Sequence, residues 1–207
     1  MPFRTFWDPS LVGLSTTRAD TANAFAAGTV TGNFSAVLGG PMAAALPGGT
    51  NLVAADTSTI VNGQNNTINI FGAGPGVFNF IGNGDTNILA GNNSSIVNGA
   101  DNNIFAEFSL IGGGNLNCIN NNSINSVIGG GTNNAVGGIG VGALDAPHSF
   151  LGGGENNLID TNAGFTSSHN VIAGGSNHTV NAGAANTFIG GGDSNRTQST
   201  FSTVAGG

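Results

Sequence analysis

Few side chains in this chain can do chemistry. There are ten acids, three histidines, three arginines, one cysteine and no lysine. General acid–base work needs titratable groups that converge on one substrate atom. The acids, Asp8, Asp20, Asp56, Asp85, Asp101, Glu107, Asp145, Glu155, Asp160 and Asp193, are spread along the chain instead. Asp85, Glu155 and Asp193 share one position of a repeat described below, but on copies that are not adjacent. Two carboxylates of one chain should therefore not meet there, although a subunit interface could bring them together. His148 and His169 share another position, on consecutive copies. Stacking could set them one layer apart as a two-histidine metal site; exposed turn histidines are the plainer reading. His178 stands apart. Cys118 is alone, so no intrachain disulfide exists, and it reads as a small packed residue rather than a reactive thiol. Polysaccharide-cleaving β-helices work with clusters of Arg, Lys and Asp, whereas Arg4, Arg18 and Arg196 are dispersed. The expectation is no catalytic site, no metal and no cofactor.

What organises the chain is a repeat. With an aliphatic residue as anchor, one frame starts at Ile60, Ile81, Ile96, Ile111, Ile128, Leu151, Ile172, Ile189 and Val204. Three residues after each anchor stands a glycine: Gly63, Gly84, Gly99, Gly114, Gly131, Gly154, Gly175, Gly192 and Gly207. Two residues before it is Ser, Asn or Thr. Six after it is asparagine in Asn66, Asn87, Asn102, Asn117, Asn134, Asn157 and Asn195, with His178 the exception. Eight after it is aliphatic, as in Ile68, Leu89 and Val180, with Thr197 the exception. Anchor spacings are 21, 15, 15, 17, 23, 21, 17 and 15, so the unit is 15 residues plus insertions.

Such a unit is too short for a helical hairpin or a propeller blade. It fits one coil of a parallel β-solenoid, with two short strands and two turns. The anchor and the residue two before it lie on one side of a strand. Glycine at +3 marks a tight corner. Asparagine at +6 suits a second corner, since it tolerates left-handed backbone, and equivalent asparagines in stacked coils can form a hydrogen-bonded ladder. The expected fold is all-β, a parallel β-solenoid of nine to ten coils. A disordered Gly/Asn tract would lack aliphatic residues locked in register. A calcium-binding nonapeptide roll would need a row of Asp, but the residues after the third glycine run Gln64, Asp85, Ala100, Asn115, Thr132, Glu155, Ser176 and Asp193.

The Ser126-Val127-Ile128-Gly129-Gly130-Gly131 frame, with Asn134 six after the anchor, resembles the head repeats of trimeric autotransporter adhesins and similar repeats in phage tail fibres and surface fibres. The resemblance covers roughly residues 58–207. It implies short β-roll coils that stack in trimers. The adhesins also carry a signal peptide, a coiled-coil stalk and a membrane β-barrel, none of which is read in these 207 residues, and their head repeats are shorter and more uniform.

Net charge is −7, set by a scarcity of bases. A phosphate-tracking surface needs a basic stripe, so nucleic acid is not an expected partner, nor is an anionic membrane surface. No stretch reaches the length of a membrane span. The N-terminus lacks the pattern of a classical signal peptide. The expected location is extracellular, at a cell surface or on a virion.

Residues 1–56 read as a cap or assembly segment and 57–207 as the solenoid. Phe3, Phe6 and Trp7 suit an end cap or, with Val204 at the other end, a subunit joint. Residues 15–27 could form a short helix closed by Gly28. Ser35-Ala36-Val37-Leu38-Gly39-Gly40 fits the frame as a further coil. Insertions 69–78, 137–148 and 160–169 should loop out along one edge. The residue before each anchor must face outward if the anchor faces in. There Phe80, Leu110, Val127, Phe150, Val171 and Phe188 form an apolar stripe that a monomer rarely exposes. Copies of the same chain would cover it, as a trimer around the stripe or a head-to-tail filament. The function this predicts is a non-enzymatic subunit of a self-assembling surface fibre. The alternative is an adhesin or tail-fibre module that binds surface glycan through the insertion loops. A flat threonine array of the ice-binding kind is missing from successive coils.

Overall fold

Polar and aliphatic residues two apart must point to the same side of an extended backbone. In the protein they do, and the side is the interior. The computed structural model describes residues 22–24, 28–31, 35–38, 50–69, 78–138, 146–161 and 166–207. Among them the strands are two or three residues long, all pairing is parallel, and there is no helix. Strands alternate between two sheets. One has eleven strands, from Ala22–Ala24 to Thr203–Val204, and holds every anchor. The other has ten, from Gly28–Val30 to Arg196–Thr197, and holds the +8 residues. This is the expected β-solenoid, with a coil count close to that expected.

Ile60, Ile81, Ile96, Ile111, Ile128, Leu151, Ile172 and Ile189 are wholly buried, as are Ile68, Leu89, Ile104, Ile119, Val136, Ile159 and Val180 opposite them. The core is therefore one file of aliphatic pairs along the axis. Each buried side chain of this size contributes about 1.5–3 kcal/mol.

The solenoid extends ahead of the expected boundary at residue 57. Ser35–Val37 and Asn51–Val53 pair in register with the coil of Ile60, so the frame at Val37 is a coil. The helix suggested for residues 15–27 is corrected: Ala22–Ala24 is a strand paired to Ser35–Val37. Its thin apolar face could not bury a helix, whereas a strand extends the existing sheet.

The asparagines stack as a ladder. Asn117 Oδ1 accepts the Asn134 backbone N–H at 3.1 Å, and Asn117 Nδ2 donates to the Gly131 carbonyl at 2.9 Å and the Gly113 carbonyl at 3.0 Å. The pattern recurs in neighbouring coils and begins at Asn51, whose Oδ1 accepts the Asn66 N–H at 3.0 Å. His178 takes the same place: its N–H donates to Asn157 Oδ1 at 2.9 Å, and its Nδ1 accepts the Asn195 N–H at 3.1 Å.

The second corner is not at the asparagine. Left-handed backbone falls one residue earlier, at Asn65, Thr86, Asp101, Leu116, Asn133, Asn156, Asn177 and Ser194, with φ near +55°. The +6 asparagine is buried, because its side chain is what satisfies the corner from inside. Another left-handed corner lies three residues before the anchor, at Thr57, Asn93, Phe108, Asn125, His148, His169, Asn186 and Phe201. At these points the N–H turns to the preceding coil, as from Phe108 to the Asn92 carbonyl at 2.9 Å, while flanking strands donate to the next coil. The corners from Phe108 to Phe201 thus pair their N–H groups across coils.

Two ladders go beyond the two-strand, two-turn expectation. Position +4 forms a file of single parallel bridges from Gln64 through Asp85 and Thr132 to Asp193. Position −2 is a buried hydroxyl and amide file. Ser94 Oγ accepts the Ser109 N–H at 3.0 Å and donates to the Ala106 carbonyl at 3.0 Å, and Asn170 Oδ1 accepts the Thr187 N–H at 3.0 Å.

The +3 glycine explains itself in this setting. Gly131 has φ +91°, and a Cβ there would overlap the carbonyl oxygen of Gly154 in the next coil. Corner and ladder both need the missing side chain.

Candidate functional site, an uncharged face of the first sheet

The outer face of the first sheet is built from the residues on either side of each anchor. The residues before the anchors stand in one file, Thr59, Phe80, Ser95, Leu110, Val127, Phe150, Val171, Phe188 and Thr203, each opposite the next in the ladder. All six predicted stripe residues are brought together here. Phe80, Phe150 and Phe188 are 38%, 44% and 41% exposed, Leu110 is exposed, and Val127 and Val171 are half-buried.

A second file, after the anchors, was not foreseen. It runs Val61, Gly82, Val97, Gly112, Gly129, Gly152, Ala173, Gly190 and Ala205. Size is shared out within each coil. Where the residue before the anchor is large the one after is small, as in Phe80 with Gly82 and Leu110 with Gly112. Ser95 with Val97 reverses the order, and only the end coils, Thr59 with Val61 and Thr203 with Ala205, show no exchange. The signal was in the sequence, in residues between the anchor and the corner glycine to which the repeat frame gives no role. A Cβ on Gly82, Gly152 or Gly190 would lie 3.2, 3.3 or 3.2 Å from Cε1 of Phe80, Phe150 or Phe188. The rings therefore lean along the strand over their glycines and keep the face shallow. Neither file carries a charged residue.

Among the described residues the titratable groups do not gather. Ser176 stands between Glu155 and Asp193 in the +4 file, and three residues separate Asp85 from Glu155. Asp193 is held below the usual carboxylate range by hydrogen bonds from Ser176, Asn177 and Ser194. His148 and His169 do stack one coil apart, with ring centroids 4.9 Å apart and planes 8° from parallel. Faces laid on one another do not aim their nitrogens at a common point. Among the described residues no group of three or more His, Cys, Asp or Glu could hold a metal ion. Burial pushes the Cys118 thiol up to about 11.

Of the predicted subunit joint, Phe3, Phe6 and Trp7 lie outside the described residues. Val204 is the last described anchor, stacked on Ile189 and partly buried against the core. The insertions expected to carry glycan recognition fall largely outside the described residues. No helix among the described residues is long and apolar enough to cross a membrane. The chain matches no protein-family model, and no curated protein is similar to it.

Proposed function

We propose that the chain is a structural, non-enzymatic subunit that assembles with copies of itself into a fibre at a cell or virion surface. The observation that carries this reading is the apolar, uncharged face that runs the length of the first sheet. A monomer leaving such a face to water would forgo burial of several Phe, Leu and Val side chains, each worth about 1.5–3 kcal/mol when fully covered. The interior suits a load-bearing role. Backbone hydrogen bonds, the asparagine file and the −2 file all run along the axis, so tension is carried by many parallel bonds.

Electron microscopy of the purified chain, beside its mass in solution, tests the reading. Fibres, or a defined multimer, are the expected result. A stable single chain at micromolar concentration would overturn it.

A further inference from the structure

We infer that two copies of the chain close their first-sheet faces on one another with solenoid axes parallel, related by a two-fold axis along the solenoid. The inference rests on the self-assembly reading and specifies its side-by-side contact, which closes on two chains and leaves lengthwise growth to the solenoid ends. A two-fold in that direction keeps each coil at its own level and reverses the strand direction. The residue before each anchor then meets the residue after the same anchor in the partner. Phe80 lies against Gly82 of the second copy, Leu110 against Gly112, and Val97 against Ser95. Large meets small at every level from Phe80 to Phe188, only the end levels, Thr59 with Val61 and Thr203 with Ala205, pairing residues of like size, and no choice of register is needed. This is the self-complementarity an isologous contact requires.

Folding of the single chain does not account for the pattern. The anchor file beneath the face is nearly uniform, with isoleucine in seven of nine coils. The size exchange is confined to side chains that point away from the core. The leaning Phe rings keep the face shallow enough for two sheets to approach to about 10 Å, the usual spacing of packed sheets. A three-fold arrangement would offer each flat face to two neighbours at an angle and leave part of it wet. A two-fold along the strands would set like file against like file and match sizes only in alternate registers.

Charge agrees with a second copy as the occupant. A chain of net charge −7 repels itself unless its acids stay off the contact. The described acids lie at positions −4, +4, +5 and +9, at corners or on the other sheet, and none is in the two facing files. A polysaccharide would find few hydrogen-bonding groups there, chiefly the hydroxyls of Thr59, Ser95 and Thr203. A lipid surface would find no basic residue.

The test combines mass with one distance. With Cys118→Ala as background, Val61→Cys carries a nitroxide near one end of the face. The expected result is a two-chain mass and a short inter-chain label separation, near the sheet spacing of about 10 Å plus the label arms. Val97→Glu and, independently, Thr59→Glu place a carboxylate in the contact; each is expected to halve the mass while circular dichroism keeps the β signal. A three-chain mass would overturn the two-fold and leave self-assembly standing. Two chains with widely separated labels would overturn the parallel arrangement. A single chain before substitution would overturn both readings. Two chains that persist in both Glu variants would show that another surface joins them.

Discussion

A buried asparagine with every polar atom engaged is worth more than its size suggests, because removing it strands its partners. Asn117→Ala would leave the Asn134 N–H without its acceptor, while the Gly131 carbonyl would lose the side-chain donor and keep the Asn115 N–H at 2.9 Å. One orphaned buried N–H costs about 1–3 kcal/mol, so we expect a loss of about that size in chemical denaturation. His178 is the mirror case. Its Nδ1 accepts from Asn195, so Nε2 carries the proton, and that buried N–H has no partner. His178→Asn should raise stability by about 1–2 kcal/mol in the same assay. Cys118 makes a prediction with a sign. Its pKa is raised from 9.0 to about 11 by burial. Above about 9 the unfolded chain loses the proton that the folded chain keeps, so stability falls as pH rises from there to about 11 and is insensitive to this group at neutral pH. Alkylation of the native thiol should be slow at pH 8 and keep accelerating toward pH 11. A rate already flat at pH 9 would show that the thiol is not desolvated.

The corners are where an element is won or lost. Gly131→Ala combines an unfavourable φ with a collision against the Gly154 carbonyl, and should cost about 2–4 kcal/mol. Gly174→Ala is its control: it stands one residue before the corner glycine of the coil of Ile172, meets nothing within 4 Å and should be near neutral. Equal thermal shifts in the two variants would show that glycine there is not a steric requirement. Strands and inward columns were legible in the sequence because alternation and burial leave a repeating chemical mark, aliphatic at 0 and +8 and glycine at +3. The left-handed corner at +5 was only half marked: asparagine holds it at Asn65, Asn133, Asn156 and Asn177, but Thr86, Asp101, Leu116 and Ser194 hold it elsewhere, and the more regular asparagine at +6 is the stronger mark although it lies inside. The −2 file was visible as Ser, Asn or Thr, but its meaning depends on which backbone group lies across the coil, and only the stacked geometry gives that. Of the candidate site, the Phe80 to Phe188 stripe was legible because large apolar residues mark it, and the complementary file from Val61 to Ala205 was not, since glycine and alanine leave no such mark.

At the scale of the molecule, each coil touches only its neighbours, so stability is a sum of coil and interface terms. The weakest interface decides where the solenoid opens. Both exceptions to the inner pattern fall on consecutive coils: His178 replaces asparagine in the coil of Ile172, and Thr197 replaces an aliphatic residue in the coil of Ile189. His178 Nε2 and Thr197 Oγ1 are both buried without a hydrogen-bond partner. The interface between these coils thus carries two polar groups that water would satisfy on opening. The bonds across it include Thr179 N–H to the Asn195 carbonyl at 3.0 Å and Asn181 N–H to the Thr197 carbonyl at 2.9 Å. The corresponding bonds from Ala135 to Asn157 at 2.8 Å and from Gly137 to Ile159 at 2.9 Å join coils whose asparagine and aliphatic files are complete and hold no buried group without a partner. Hydrogen exchange should therefore be faster at Thr179 and Asn181 than at Ala135 and Gly137. The double variant His178→Asn, Thr197→Val should slow the first pair by about tenfold or more, as expected for a gain of at least about 1.4 kcal/mol at that interface, and leave the second pair unchanged. If Thr179 and Asn181 already exchange as slowly as Ala135 and Gly137, the two orphaned groups do not weaken the stack, and opening must begin elsewhere.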